Sequence, residues 1–201
     1  MSTTNELLYY IPAGQYGKEG VLALLEQHPE IKFVSLVGID LAGNDTDEKI
    51  PMSAFFDDYE SFFEGRAVQT DGSSVVLTNI ATLNNARVDM WGDPSVNWFV
   101  DYNYENIDPV TGLPTGTLRI PAFLMHNYRY VDSRSILKRS CDYVRAELLA
   151  LIKEHGLPGM PHVKADEVVD IIFTSATELE FWVKTPSRTV TKKELSVSQN
   201  Y

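Results

Sequence analysis

The stretch IKFVSLVGIDLAGNDTDEKIP, residues 31–51, decides the fold. Residues 31–41 are β-branched, aliphatic and aromatic, the composition of a strand that packs on a half-buried pleated surface. AGND (42–45) is turn chemistry, because Gly accepts positive φ and Asn and Asp bond their own nearby backbone. TDEKIP (46–51) then returns toward a second strand. The spacing predicts a β-hairpin.

On the N-terminal side, GKEGVLALLEQH (17–28) places Val21, Leu22, Leu24 and Leu25 on one face of a short helix, and Pro29 disfavours its continuation. On the C-terminal side, residues 53–64 begin with Ser53 as a candidate N-cap. They line up Phe55, Phe56, Tyr59, Phe62 and Phe63 as an aromatic stripe ended by Gly65, which reads as core. After a turn at 71–74, strand-like stretches recur around 74–82, 96–102 and 118–126, the last two separated by the turn-rich DPVTGLPTG. These elements predict an α+β fold, a small mixed sheet with helices against it.

At Asp132 the pattern changes. Residues 133–156 open on Ser133 as a candidate N-cap, carry Ile136, Leu137, Val144, Leu148, Leu149 and Ile152 at helical spacing, and stop at Gly156. Lys153 and His155 fall in the last turn, where the helix dipole favours positive charge. The loop LPGMPH (157–162) leads to EVVDIIFTSATELEFWV (167–183), an unbroken run of strand formers, read as one long strand or two with a bend at 174–177. The tail from Thr185 has no clear partner element and reads as though cut from something longer.

The chain has 201 residues, 44% of them hydrophobic and 22% charged, enough for one large domain or two small ones. A formal charge of −11 argues against nucleic acid as a partner, since affinity for polyphosphate comes from Lys and Arg displacing counterions. Cys141 is the sole cysteine, so no internal disulfide forms; its place in a helical pattern reads as a small buried hydrophobe. The N-terminus has no basic leader followed by an apolar segment, and no stretch approaches the ~18 apolar residues of a membrane span. A cytoplasmic location without membrane contact is expected. The four histidines show no metal-ligand spacing.

Within SATELEFWV (175–183), Glu178 and Glu180 stand two apart in an apolar setting. In a strand they share one face with Cα atoms roughly 7 Å apart, while Leu179 and Phe181 face the other way. Two adjacent carboxylates either share a proton, hold a cation, or simply face water from an edge strand. Oxygen ligands of this kind suit Mg²⁺ or Mn²⁺ better than zinc.

A set of motifs in order adds to this. FVSLVGIDLAGNDTDEKIP, VQTDGSSVVL, DMWGDPSVNWFVDYN, the run with Asp132, Arg134, Lys138 and Arg139, and SATELEFWV resemble glutamine synthetase. The matching segments follow the family's β-grasp domain and the start of its catalytic domain, over about residues 31–183. The resemblance implies an N-terminal arm and helix (1–30), a β-grasp-like domain (31–127) and the incomplete beginning of a catalytic domain (128–201).

What the resemblance implies about chemistry is specific. ATP phosphorylates the glutamate side chain, and ammonia displaces phosphate from the γ-glutamyl phosphate, so positioning and electrostatics dominate. By motif position, Glu178 serves the metal beside the ATP phosphates and Glu180 the metal beside glutamate. Asp71 helps bind ammonium and draw a proton from it, with Ser74 beside it. That loop is expected to reach a neighbouring subunit's site, which makes the active form a homo-oligomeric ring. Thr70 stands where the family usually has an aromatic residue. The family's remaining ligands lie beyond the equivalent of residue 201, so this chain alone is expected to be inactive. Two other readings share these residues: a non-catalytic glutamine synthetase-like module, and a γ-glutamyl ligase for another amine.

Overall fold

The computed structural model describes residues 6–77, 83, 86–176, 178 and 180. In chain order the elements are β1 (Tyr10–Ile11), α1 (Lys18–Glu26), β2 (Ile31–Ile39), β3 (Asp45–Pro51), α2 (Met52–Asp57), β4 (Val68–Asp71), β5 (Arg87–Gly92), β6 (Trp98–Ile107), β7 (Pro114–His126), β8 (Arg129–Tyr130) and α3 (Ser133–His155). Short 3-10 turns lie at Glu60–Phe62, Gly72–Ser74 and Ala165–Glu167. The class is α+β, with a mixed, mostly antiparallel sheet.

The expected hairpin forms: β2 and β3 pair antiparallel from Phe33 opposite Pro51 to Ile39 opposite Asp45. Its turn closes with Asp40 N donating to Asn44 O at 3.0 Å, and Gly43 takes the positive φ of 85° that the bend requires.

β7 is the spine of the sheet. Its first half pairs parallel with β2, Val34 opposite Leu118 and Leu36 opposite Ile120, and antiparallel with β6 on its other edge. Its second half, Ala122–Met125, pairs with β5, which in turn carries β4; β8 folds back on its end. β1 extends the sheet beyond β6, giving the order β1-β6-β7-β2-β3.

Val34, Leu36, Val88, Met90, Leu118, Ile120 and Leu124 point inward and are buried. The aromatic stripe meets them: Phe55 packs edge-on against Phe62 at 5.0 Å between ring centres, and Phe63 stacks on Trp98 at 5.3 Å. Each such side chain contributes roughly 1.5–3 kcal/mol by leaving water. Gly65 adopts φ 68° below Trp91, whose Nε1 would lie 1.8 Å from any added Cβ.

Several details differ from the sequence reading. The aromatic stripe is delivered not by one helix but by α2 and the turn at Glu60–Phe62, because Asp58 leaves helical backbone at φ −143°, ψ 63°. Pro51, not Ser53, stands before the first helical residue. Asp132, not Ser133, caps α3, its carboxylate accepting from Ser135 N at 2.8 Å. Of the strand expected at 74–82, Ser74 ends the turn at Gly72–Ser74, residues 75–77 form no strand element, and residues 78–82 lie outside the described residues. β4 and β5 replace it, two strands too short and polar to stand out in sequence.

The run at 167–183 forms no strand in its described part. Residues 168–176, 178 and 180 have no regular structure, and Val169 and Ile172 are more than four-fifths exposed. A strand exists only by pairing, and among the described residues nothing pairs with this one; strand propensity alone could not anticipate that. Thr177, Leu179 and 181–183 lie outside the described residues. α3 has its expected length and an apolar stripe, yet Ser135 is its one buried residue, with Leu137 and Leu151 half-exposed or more. Cys141 is half-buried rather than core.

Candidate functional site

Asp71 closes β4 and begins the turn at Gly72–Ser74. Its carboxylate accepts the backbone N–H of Ser73 at 2.7 Å, the geometry of an N-cap. Gly72 is the reason the chain can turn here. It is buried, donates to Ala86 O at 2.7 Å, and an added Cβ would lie 2.1 Å from Leu83 O. Asp71 itself, Ser73 and Ser74 stay exposed. The Ser73 hydroxyl and backbone N–H hold the Asp71 carboxyl below the usual carboxylate range, so the group stays anionic in water near neutral pH.

The turn is fastened to the hairpin. Asp40 is fully buried and accepts four N–H groups: Ala42 N and Asn44 N at 2.9 Å, Asn44 Nδ2 at 3.0 Å and Val76 N at 2.9 Å. Leu41 N donates back to Val76 O at 3.2 Å. Burial alone would push the Asp40 carboxyl up, but the bonds from Asn44, Val76 and Ala42 outweigh it and its pKa is lowered. Sequence reading missed Asp40. The clue was an Asp at a turn entrance with Asn four positions on, an arrangement that bonds locally.

A second buried carboxylate fixes the start of α3. Asp93 accepts Ser95 N at 2.9 Å and Arg134 Nη2 at 2.6 Å, and the Arg134 guanidinium lies 4.8 Å from the centre of the Phe123 ring. Burial opposes the ionised form, but Ser95 and Arg134 prevail and hold Asp93 below its ordinary range. Arg134 is thus partly buried and structural, whereas Lys138 is exposed and pairs with Asp142 one turn along.

Glu178 and Glu180 are exposed, with no regular structure. Among the described residues no group of three or more His, Cys, Asp or Glu could hold a metal ion. Among the described residues no helix is long and apolar enough to cross a membrane.

No family model matches the chain, and no curated protein does. Among solved structures, the cryo-EM structure of Plasmodium falciparum glutamine synthetase is similar over 67% of this chain and 24% of that one, at 15% identity and a TM-score of 0.45. The chain therefore spans about a quarter of that protein's length. A likeness this slight defines no family.

Proposed function

We propose that these residues form the amino-terminal part of a glutamine synthetase-type ligase, joining ammonia to the γ-carboxyl of glutamate at the expense of ATP. Residues 31–127 are read as a β-grasp-like unit and 128–201 as the beginning of a catalytic unit. The observation that carries the reading is Asp71: an exposed, anionic carboxylate on a turn that Gly72 and Asp40 make rigid.

In this reading Asp71 attracts ammonium and accepts a proton from it, leaving ammonia to attack the acyl carbon. A carboxylate already bonded to Ser73 N–H is held in one orientation, which favours directional proton transfer. Ser74, next to it on the exposed face of the turn, supplies a hydroxyl. Because the turn faces solvent, a second subunit in a ring can complete the site against it. Glu178 and Glu180 would lend oxygen ligands to Mg²⁺ or Mn²⁺ only with further ligands from outside the described residues. Glutamate, ammonium and ATP are the proposed partners, in the cytoplasm.

The test is glutamine formation from glutamate, ammonium and ATP by the complete gene product that carries these residues. Asp71→Asn, which keeps shape and removes charge, should raise the ammonium KM at least about tenfold with a smaller change for glutamate. Product with another amine but not ammonium would redirect the reading to a different γ-glutamyl ligase; no ATP-dependent product with any amine would overturn it.

A further inference from the structure

Asp71 and Arg87 stand directly opposite one another in the β4–β5 ladder. Directly opposed residues of an antiparallel pair project from the same face, with Cβ atoms about 4.5–5.5 Å apart. An arginine side chain spans that distance easily, so the default expectation is an Asp71–Arg87 ion pair. Such a pair would occupy the carboxylate on which the proposed function depends.

The structure has a different arrangement. Arg87 turns along its own strand, with Nε 2.9 Å from Asp89 Oδ1 and Nη2 donating to Asp89 Oδ2 at 3.4 Å. Asp89 lies two residues on and so shares the face of Arg87. Its side chain is 24% exposed, whereas Asp71 is exposed, and the more sheltered carboxylate is less screened and attracts the guanidinium more strongly. The backbone beneath is held as well: His126 Nδ1 lies 2.9 Å from Arg87 O. Arg87, Asp89 and His126 line a cleft of about 430 Å³ with Asn127 and Tyr128, which gives the guanidinium room on the side away from Asp71. Asp71, for its part, is drawn to its own turn by Ser73 N–H.

We infer that Asp89 is a positioning residue: it holds Arg87 off Asp71 and so keeps the Asp71 carboxylate open to a cation. The inference deepens the ligase reading of that turn and rests on it for its functional meaning, but the side-chain competition it describes is measurable without any activity. Asp89 touches no substrate; it acts through Arg87.

Two measurements test it. In the 201-residue chain, the carboxyl carbon resonance of Asp71 followed against pH reports its midpoint. Asp89→Asn frees Arg87 to pair with Asp71, so the midpoint should fall by about 0.5 pH, and Asp89→Asn/Arg87→Gln should return it to the wild-type value. In the complete gene product, Asp89→Asn should raise the ammonium KM about two- to fivefold with kcat little changed, and the double variant should restore it. Far-UV circular dichroism of each variant identifies simple misfolding, which the double variant would fail to rescue. An Asp71 midpoint that stays put in Asp89→Asn, or stays lowered in the double variant, overturns the inference. A wild-type protein without ligase activity but with the expected midpoint changes leaves the role of Asp89 standing and overturns the ligase reading.

Discussion

Val76 donates its backbone N–H to Asp40 Oδ2 at 2.9 Å, joining residues 36 apart in the chain. Through this bond the hairpin turn and the Asp71 turn become one rigid corner. Asp40→Ala leaves four part-buried N–H groups without their acceptor, and should cost about 1–3 kcal/mol in urea denaturation. Amide exchange at Val76 should accelerate with it, which a change confined to the 40–44 turn would not produce.

The same carboxylate predicts a pH dependence. The folded pKa of Asp40 lies below the unfolded value, so its extra stabilisation is fully present above the unfolded pKa and is lost as pH falls through the folded one. The stability difference between wild type and Asp40→Asn should therefore be constant above about pH 5 and shrink below about pH 4. A difference that grows on acidification would contradict the assignment.

Arg134 and Lys138 look alike in sequence and should behave differently. Arg134→Ala strands the buried Asp93 carboxylate and should cost about 1–3 kcal/mol, discounted for the partial exposure of the arginine. Lys138→Ala removes an exposed pair one helical turn long and should cost less than about 0.5 kcal/mol. Thermal denaturation of the two variants at matched ionic strength measures the contrast.

Gly72→Ala would drive a methyl into Leu83 O and the Ala86 carbonyl, which are backbone and cannot swing aside. A loss of more than about 2 kcal/mol is expected, enough to disorder the Asp71 turn. Gly159→Ala, where nothing lies within 4 Å of the added carbon, should stay within about 0.5 kcal/mol. Equal effects would mean that the close packing of the turn is unimportant.

Phe55 and Phe173 separate core from surface. Phe55 is fully buried among Phe62, Tyr59 and Trp98, and its replacement by Ala should cost about 3–5 kcal/mol. Phe173, 50% exposed, should cost less than about 1 kcal/mol in the same measurement.

Much of the local structure was legible. The hairpin at 31–51, α1, β7 and α3 were visible because their signals, alternation, helical spacing and turn residues, act between near neighbours. β4 and β5 were not, although Val68 and Thr70, and Val88 and Met90, alternate inward correctly. Four to six residues of mixed polarity are common in loops, and only pairing onto β7 makes these strands. The reverse error occurred at 168–176, where strand composition is strong and the described chain remains unpaired.

The candidate site divides in the same way. Asp71 and Ser74 were nominated by the resemblance of VQTDGSSVVL; DGSS by itself marks a turn, and a turn is what the structure has there. Asp40, Asp89 and Arg87 were not singled out, since their roles depend on Val76 and Asp71 arriving from other parts of the chain.

The sequence by itself determined where the backbone bends, which segments alternate or coil, and that an acidic chain offers carboxylates rather than phosphate-binding cations. Only the tertiary structure decided that β2 lies parallel to β7, which carboxylates are buried under four donors and which remain in water. The reason is physical: propensity and turn chemistry are set within a few residues, whereas burial and the choice among ion-pair partners are competitions between groups that meet only when the sheet closes.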